Sequence, residues 1–209
     1  PNNYVSSGNG LWRIIGVMNN MENSSNVSGS YIQIVDDSVD NYSSWNDDMD
    51  HAWNYSNVQT LLNNTIYETL NKEYIETMNW SYNYVSEPNS YNVKNFYSME
   101  RMNKDNYLKA NVGLIYPSDY GFASIGSESV GTNSCQVASL NNYGSLSDCI
   151  DNNWLYLDST YWMMLGGTST HGRSYSFHTD GNINAYSTGA YRGVLPSVYL
   201  KSSVKILSG

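Results

Sequence analysis

The sequence predicts an α+β domain, in which β-strands and α-helices occupy separate stretches of the chain. Two apolar stretches near the N-terminus are typical of paired strands, and a stretch with apolar residues at helical spacing follows them. The second half alternates short apolar stretches with turn-forming residues, without the strand–helix–strand alternation of a parallel sheet. For a chain of 209 residues we expect a single domain that covers residues 1–209.

The N-terminal strands are expected at residues 11–18 (LWRIIGVM) and 30–37 (SYIQIVDD). The first is largely apolar, which is typical of a buried strand, and the second alternates Gln33 and Val35 with isoleucines. The two strands should pair as a hairpin, whose long tip is the polar stretch 19–29.

Helical spacing begins after Ser56, a residue type that caps helix N-termini. The apolar residues at this spacing are Val58, Leu61, Leu62, Ile66 and Leu70. A second short helix is expected at residues 72–78 (KEYIETM). After Pro117 we expect a short helical turn capped by Ser118.

The second half of the chain predicts strands joined by turns and loops. The predicted strands are residues 111–116 (NVGLIY), 153–157 (NWLYL), 161–167 (YWMMLGG) and a closing strand within 193–206 (GVLPSVYLKSSVKI), and residues 124–153 are predicted as loop.

A hairpin is predicted around Asp180 and Gly181. A two-residue turn would pair His178 with Ile183, whereas a longer loop would pair Phe177 with Ile183. We expect the longer loop, because it buries the apolar pair and turns His178 outward.

Composition and charge exclude several classes of partner. A net charge of −9 with 10 basic residues argues against nucleic acids and anionic membrane surfaces. No stretch approaches the apolar run of about 18 residues that spans a membrane, so direct membrane insertion is not expected. A charged fraction of 14% beside 20 tyrosines is typical of secreted or surface-displayed proteins. We therefore expect an extracellular or cell-surface location.

The two cysteines, Cys135 and Cys149, bracket a stretch rich in loop-forming residues. A disulfide closing that loop would stabilise the fold by about 3 kcal/mol. The alternative is a pair of free thiols in a reducing cell. We favour the disulfide, because the cysteines have no metal-site spacing and no nucleophile context.

Several stretches of the chain resemble, in order, a family of surface proteins from gut Firmicutes-type bacteria. They are LWRIIGVM (11–18), NVGLIYPSDYGFA (111–123), the loop with the cysteine pair, NWLY (153–156) and DGNINAYSTGAYRGVLPSVYLKSSVKI (180–206). That family's domain is related to the C-type lectin-like fold of formylglycine-generating enzymes and of the variable proteins of diversity-generating retroelements. The resemblance implies a C-type lectin-like fold, with short antiparallel strands, two helices and long loops.

The same resemblance implies binding rather than catalysis. In this fold class the C-terminal hairpins and loops form an exposed face that binds ligands. The enzyme branch's paired catalytic cysteines have no counterpart here, because Cys135 and Cys149 lie upstream in a loop. The chain also has Leu195 where the family has Arg in a Gly-Val-Arg-Pro motif. We therefore expect no enzymatic activity.

The stretch 174–200 combines aromatic rings with short polar side chains, a mixture that antibody loops also use for recognition. The alternative is an ordinary exposed hairpin whose tyrosines pack across strands. Of the candidates, Trp162 is expected at the edge of the face, and Tyr175 is the one most expected in the core. The candidate ligand-binding residues are Trp162, His171, Arg173, Tyr175, His178, Asn182, Asn184, Tyr186, Tyr191 and Arg192.

The predicted function is that of an exported, surface-displayed receptor or adhesin domain. Its partner would be a protein or glycan ligand on another cell or surface. One alternative is a structural subunit of a pilus-like filament, with filament or homo-oligomer contacts through the aromatic residues. Another is a degenerate enzyme of the formylglycine-generating type. We expect no cofactor and no metal, because the sequence lacks the spacing of known sites.

Overall fold

The computed structural model describes residues 3–7, 10–48, 50–85, 91–102, 106–125, 132–167 and 172–205. Within them the chain forms two larger sheets, a two-stranded sheet and several short helices, as expected for the α+β class. The strands of the first sheet and of the small sheet are β1 (Tyr4–Ser7), β2 (Gly10–Glu22), β3 (Ser28–Asp36), β5 (Ile75–Glu76), β6 (Met78–Ser81), β8 (Tyr107–Ala110), β9 (Val112–Leu114) and β14 (Pro196–Leu200). Those of the second sheet are β4 (Asn41–Ser44), β7 (Tyr84–Val85), β10 (Tyr161–Gly167), β11 (Arg173–Phe177), β12 (Ile183–Ser187) and β13 (Tyr191–Val194).

The first sheet has the order β1-β2-β3-β14-β5, and β9 also pairs with β14. The predicted hairpin of β2 and β3 is confirmed. Its tip is shorter than expected, because both strands extend and Asn23 closes the turn by accepting hydrogen bonds from the backbone of Ser25 and Val27. The small sheet pairs β6 with β8.

The predicted closing strand is confirmed as β14, which lies at the centre of the first sheet. One edge of β14 pairs with β3 and the other with β9 and β5. All five of its residues are buried. The last strand therefore joins the N-terminal hairpin to the middle of the chain.

The second sheet has the order β12-β11-β10-β13-β4, with β7 pairing on β10. Strands β10, β11 and β12 form an antiparallel meander, whereas β10 and β13 are parallel. The prediction of a strand at residues 161–167 is confirmed. Residues 153–157 form turns instead of the predicted strand, because Asn153 bonds back to the backbone of Tyr120 and Leu155.

The helices are α1 (Asn57–Leu61), α2 (Tyr67–Thr69), α3 (Val93–Tyr97), α4 (Pro117–Phe122), α5 (Thr132–Val137) and α6 (Ser147–Ile150). The predicted cap at Ser56 is confirmed, because its side chain accepts a hydrogen bond from the Gln59 amide. A π-helical segment, Leu62–Ile66, joins α1 to α2.

Three local predictions are wrong. A helix at 72–78 is replaced by a single turn and strand β5, because β5 pairs with β14 and buries Ile75. The Ser118 cap is wrong, because Ser118 lies inside α4 and the Asp119 carboxylate accepts the Tyr116 amide instead. The loop predicted at 124–153 contains α5, α6 and a 3-10 segment.

Two clusters of buried side chains form the core. One contains Trp45, Trp53, Trp80 and Trp162 among its largest members. The other contains Tyr120, Tyr143, Tyr161, Tyr175 and Phe177. The second sheet contributes to both clusters, so its two faces are packed against different parts of the molecule.

A disulfide joins Cys135 in α5 to Cys149 in α6, as expected. The segment that it closes supports the tip of the β11–β12 hairpin. The Gly144 amide donates a 2.7 Å hydrogen bond to Asn182 Oδ1, and the Tyr120 hydroxyl donates to the Gly181 carbonyl at 3.2 Å. Gly181 has φ +85°, a conformation that favours glycine.

We expect Gly144→Ala to destabilise the fold by about 1–3 kcal/mol. A Cβ atom at this position would lie 2.0 Å from the Asp180 carbonyl oxygen, so the hairpin tip would have to move. Thermal unfolding should show a midpoint lowered by about 2–4 °C per kcal/mol. Gly189→Ala is the control, because among the described residues its Cβ would meet only Ser187 Oγ, at 3.9 Å. Equal midpoints for the two variants would contradict close docking of the tip.

Candidate functional site

The register of the β11–β12 hairpin decides which candidate residues share a surface. Phe177 pairs with Ile183, and both are buried, so the expected longer loop over 178–182 is confirmed. Side chains alternate along each strand, and directly paired residues point to the same face. The pairs Trp162–Ser176 and Ser176–Asn184 therefore place Trp162 and Asn184 on one face of the second sheet.

Arg192 and Tyr186 lie on that same face. Arg192 precedes Gly193, which pairs with Tyr161, so its side chain points to the side of Trp162. Tyr186 lies two residues beyond Asn184 in β12. We call the surface formed by His178, Asn184, Tyr186 and Arg192, with Trp162 beneath it, the Arg192 face.

The side chains of the Arg192 face are stacked on one another. The Arg192 guanidinium carbon lies 4.1 Å from the centre of the Tyr186 ring and 5.5 Å from that of Trp162. The His178 ring stacks on Tyr186, with centroids 5.7 Å apart and planes 15° from parallel. The cation is thus held between two aromatic rings, an arrangement that attracts it to both.

Trp162 is anchored from below. Its indole Nε1 donates a 2.9 Å hydrogen bond to the Ser43 carbonyl, and its ring packs edge-on against Trp45 at 5.6 Å. Trp45 in turn lies 5.4 Å from Trp53 in the core. The position of the guanidinium is therefore set by packing that extends deep into the molecule.

Arg192 is half-buried, yet it has no acidic partner among the described residues. Its Nε is buried and makes no hydrogen bond within the described part of the chain. Burial lowers the pKa of the Arg192 side chain from its ordinary value, although the nearby Tyr186 acts in the opposite direction. A partly desolvated guanidinium whose terminal N–H groups make no hydrogen bond to another described residue is chemically suited to pair with an oxygen-bearing anion.

The hairpin loop adds a second polar pair to the Arg192 face. His178 Nδ1 lies 3.4 Å from the Asp180 carboxylate. Partial burial raises the pKa of Asp180, but hydrogen bonds from Asn182 and the neighbouring His178 outweigh it, so the pKa is lowered overall. Asp180 is therefore anionic at neutral pH and favours the orientation in which His178 lies over Tyr186.

Two predicted contact residues are not accessible to a ligand. Trp162 and Tyr175 are both 0% exposed, so their assignment to an exposed binding face is wrong. Trp162 forms the base of the Arg192 face. Tyr175 points to the opposite side of β11 and packs against Phe96 in the second core cluster, as its alternation with Ser174 and Ser176 requires.

The remaining candidates do not join the Arg192 face. Arg173 and Tyr191 are exposed but alternate onto the opposite side of the sheet, where Tyr191 stacks on Tyr42 at 6.3 Å. The Asn182 side chain is used to hold Gly144. His171 lies outside the described residues.

A buried ionic cluster was not predicted from the sequence. Arg101 pairs with Asp119 at 2.5 Å and donates to the Tyr199 hydroxyl at 2.7 Å and to Gln33 Oε1 at 3.1 Å. Both charged side chains are nearly inaccessible, at 2% and 3% exposure. Glu100 lies beside them and accepts the Ser118 amide at 3.2 Å.

The signal for this cluster was the spacing of Val93, Phe96 and Glu100. These residues occupy positions i, i+3 and i+7, which places Glu100 on the buried side of a helix. Burial raises the pKa of Glu100 to about 8; the carboxylate of Asp119 acts in the same direction, and hydrogen bonding to Ser118 opposes both. Glu100, Arg101 and Tyr116 border a cavity of about 50 Å³, too small for an organic substrate. The arrangement is that of a polar core linking the α3 region, α4 and the first sheet.

We expect Glu100 to make the wild-type protein less stable as pH rises from about 5 to 8. The unfolded state, with an ordinary pKa of 4.5, releases its proton in this range while the folded state keeps it until about pH 8. Stability relative to Glu100→Gln should fall by up to about 1.4 kcal/mol per pH unit, measured by denaturant unfolding. Glu68→Gln, at an exposed site, should keep the wild-type slope. Parallel curves for wild type and Glu100→Gln would contradict the raised pKa.

Comparison of the chain with protein-family models, curated proteins and solved structures found no match. Within the described residues, no three His, Cys, Asp or Glu side chains are grouped to hold a metal ion. No helix of the described ranges has the length and apolar character needed to cross a bilayer. The disulfide is compatible with an extracellular protein. Of the residues predicted to bind a ligand, those of the Arg192 face are brought together on one surface.

Proposed function

We propose that this chain is a single C-type lectin-like domain, exported and displayed at a bacterial surface, which binds an external ligand through the Arg192 face. The sequence resemblance supports the family and the surface location. The disulfide Cys135–Cys149 and the low charged fraction support an oxidising compartment. The ligand is a protein or glycan on another cell or surface.

The observation that carries this proposal is the unpaired guanidinium of Arg192 between two rings. The terminal N–H groups of this guanidinium make no hydrogen bond to another described residue, so a ligand oxygen would supply acceptors for them, whereas the inaccessible Nε would not be reached. The Asn184 amide also makes no hydrogen bond to another described residue and lies on the same face. The Arg192 face therefore offers ring surface and unused polar groups together, which is the usual composition of a recognition site.

The support beneath the face suits recognition by shape. Trp162 is fixed by Ser43 and Trp45, and the hairpin loop is tied down by Gly144 and Tyr120. Side chains that are already ordered lose little conformational entropy when a ligand arrives. A face held in this way binds without first rearranging.

A second candidate function, a filament subunit, is favoured by a different surface. Tyr191 is 74% exposed and stacks on the exposed Tyr42, on the side of the sheet opposite the Arg192 face. An exposed pair of tyrosine rings suits a contact between copies of the chain. The binding function thus depends on Tyr186, and the filament function depends on Tyr191 on the opposite side of the sheet.

We expect Tyr186→Ala to reduce adhesion by at least tenfold, because Tyr186 carries both the guanidinium and the His178 ring. Beads coated with the chain would be scored for adhesion to cultured epithelial cells and to bacterial cells. Tyr191→Ala is the matched control and should adhere like the wild type. Thermal unfolding would verify that both variants are folded.

Loss of adhesion with Tyr191→Ala but not with Tyr186→Ala would contradict the proposal. The filament function is the correct one if two results are found together. The wild type would show no adhesion, and Tyr191→Ala would abolish the self-association that the wild type shows in sedimentation velocity.

A further inference from the structure

Arg192 is the one arginine that the described strands of the second sheet place on the Arg192 face. Strands β4 and β10–β13 carry two cationic side chains, Arg173 and Arg192, and they point to opposite sides of the sheet. Asp180 lies beside His178 at the hairpin tip, and no acidic side chain of the described residues pairs with Arg192. The Arg192 guanidinium is therefore a single positive charge without an ion-pair partner among them, on a side chain that is half-buried.

A guanidinium matches a carboxylate through two parallel hydrogen bonds. A single positive charge is balanced by one carboxylate, whereas a phosphate monoester carries nearly two negative charges at neutral pH. The charge count thus favours a carboxylate ligand over a phosphorylated one.

The overall charge of the chain narrows the ligand further. A net charge of −9 repels densely charged polyanions over distances of about a Debye length, roughly 8 Å at physiological salt. An isolated carboxylate on an otherwise neutral molecule avoids most of this repulsion while still reaching Arg192. The ligand is therefore sparsely charged.

Rings and an amide surround the cation. The rings of Tyr186 and His178 stack in nearly parallel planes. Asn184 lies on the same face, two residues before Tyr186 in β12. The apolar face of a sugar ring packs on an aromatic ring, and its hydroxyl groups pair with an amide. An acidic peptide motif is instead recognised by a cluster of arginines, whereas the described strands of the second sheet place a single arginine on this face.

We propose that the ligand of the Arg192 face is a glycan bearing an acidic sugar, whose carboxylate is bound by the Arg192 guanidinium. This inference rests on the proposed binding function and specifies the ligand of the same surface. The His178 ring supplies the stacking surface, Tyr186 holds His178 and Arg192 in place, and Asn184 supplies hydrogen bonds to ring hydroxyls. The bond to Arg192 distinguishes acidic from neutral sugars.

The test uses two probes that differ only at one carbon, methyl β-glucuronide and methyl β-glucoside. Binding to the intact chain is measured by nuclear magnetic resonance titration, including the Nε–H signal of Arg192. We expect the glucuronide to bind at least tenfold more tightly and to shift the Arg192 signal, because the carboxylate adds a charge-assisted pair.

Variants test the role of the cation directly. Arg192→Gln should abolish the preference for the glucuronide, and Arg192→Lys should retain part of it, because lysine keeps the charge but not the paired geometry. Arg173→Gln is the control on the opposite face and should keep the full preference. The Arg192 signal of the wild type answers the same question if the Arg192 variants do not fold.

Equal affinity for the two probes, or a preference that survives Arg192→Gln in a folded variant, would overturn the inference. Tighter binding of a glutamate-containing tripeptide than of the glucuronide would also overturn it, in favour of an acidic peptide. In either case the bead assay tests the proposed binding function independently of the ligand, by comparing the adhesion of the wild type with that of Tyr186→Ala.

Discussion

The placement of one cation between two rings is the interaction on which the proposed site depends. The Arg192 guanidinium lies over Tyr186 at 4.1 Å and over Trp162 at 5.5 Å, without an acidic partner among the described residues. Partial burial of the guanidinium costs desolvation free energy, and the cation–π contacts offset part of that cost. The buried Nε makes no hydrogen bond within the described ranges, and the terminal N–H groups of the guanidinium have no partner there either. The proposed carboxylate ligand would pair with those terminal groups.

The rest of the fold explains why the arrangement persists. Strand β14 lies at the centre of the first sheet and joins parts of the chain that are far apart in sequence. The second sheet has a packed core on each side, so successive residues of one strand contribute to different core clusters. Trp162 and Tyr161 are neighbours in sequence, yet one supports the Arg192 face and the other lies in the opposite core cluster. The disulfide-closed segment holds the hairpin tip from outside the sheet.

The sequence predicted correctly those elements in which apolar and polar residues are segregated or a capping residue is present. It did not predict structure that depends on pairing between strands far apart in the chain. The Phe177–Ile183 register followed from separating apolar from polar side chains, and the Ser56 cap followed from residue type. Residues 72–78 carry a helical composition, but β5 is fixed by pairing with β14, which lies over a hundred residues away in the chain. Trp162 was expected at the edge of the binding face, but YWMMLGG is apolar throughout, which is typical of a strand buried on both faces and could have predicted the burial of this side chain. The separation of Tyr191 from Arg192 could have been predicted, since adjacent strand residues point to opposite sides.

The central claim is that a carboxylate ligand binds on the Trp162 side of the second sheet, in contact with Arg192. A crystal structure of the chain in complex with methyl β-glucuronide tests it most directly. We expect two hydrogen bonds of about 2.7–2.9 Å between the carboxylate oxygens and the Arg192 guanidinium, with the sugar ring against His178. A sugar bound on the Tyr191 side, or one whose carboxylate points to solvent away from Arg192, would contradict it.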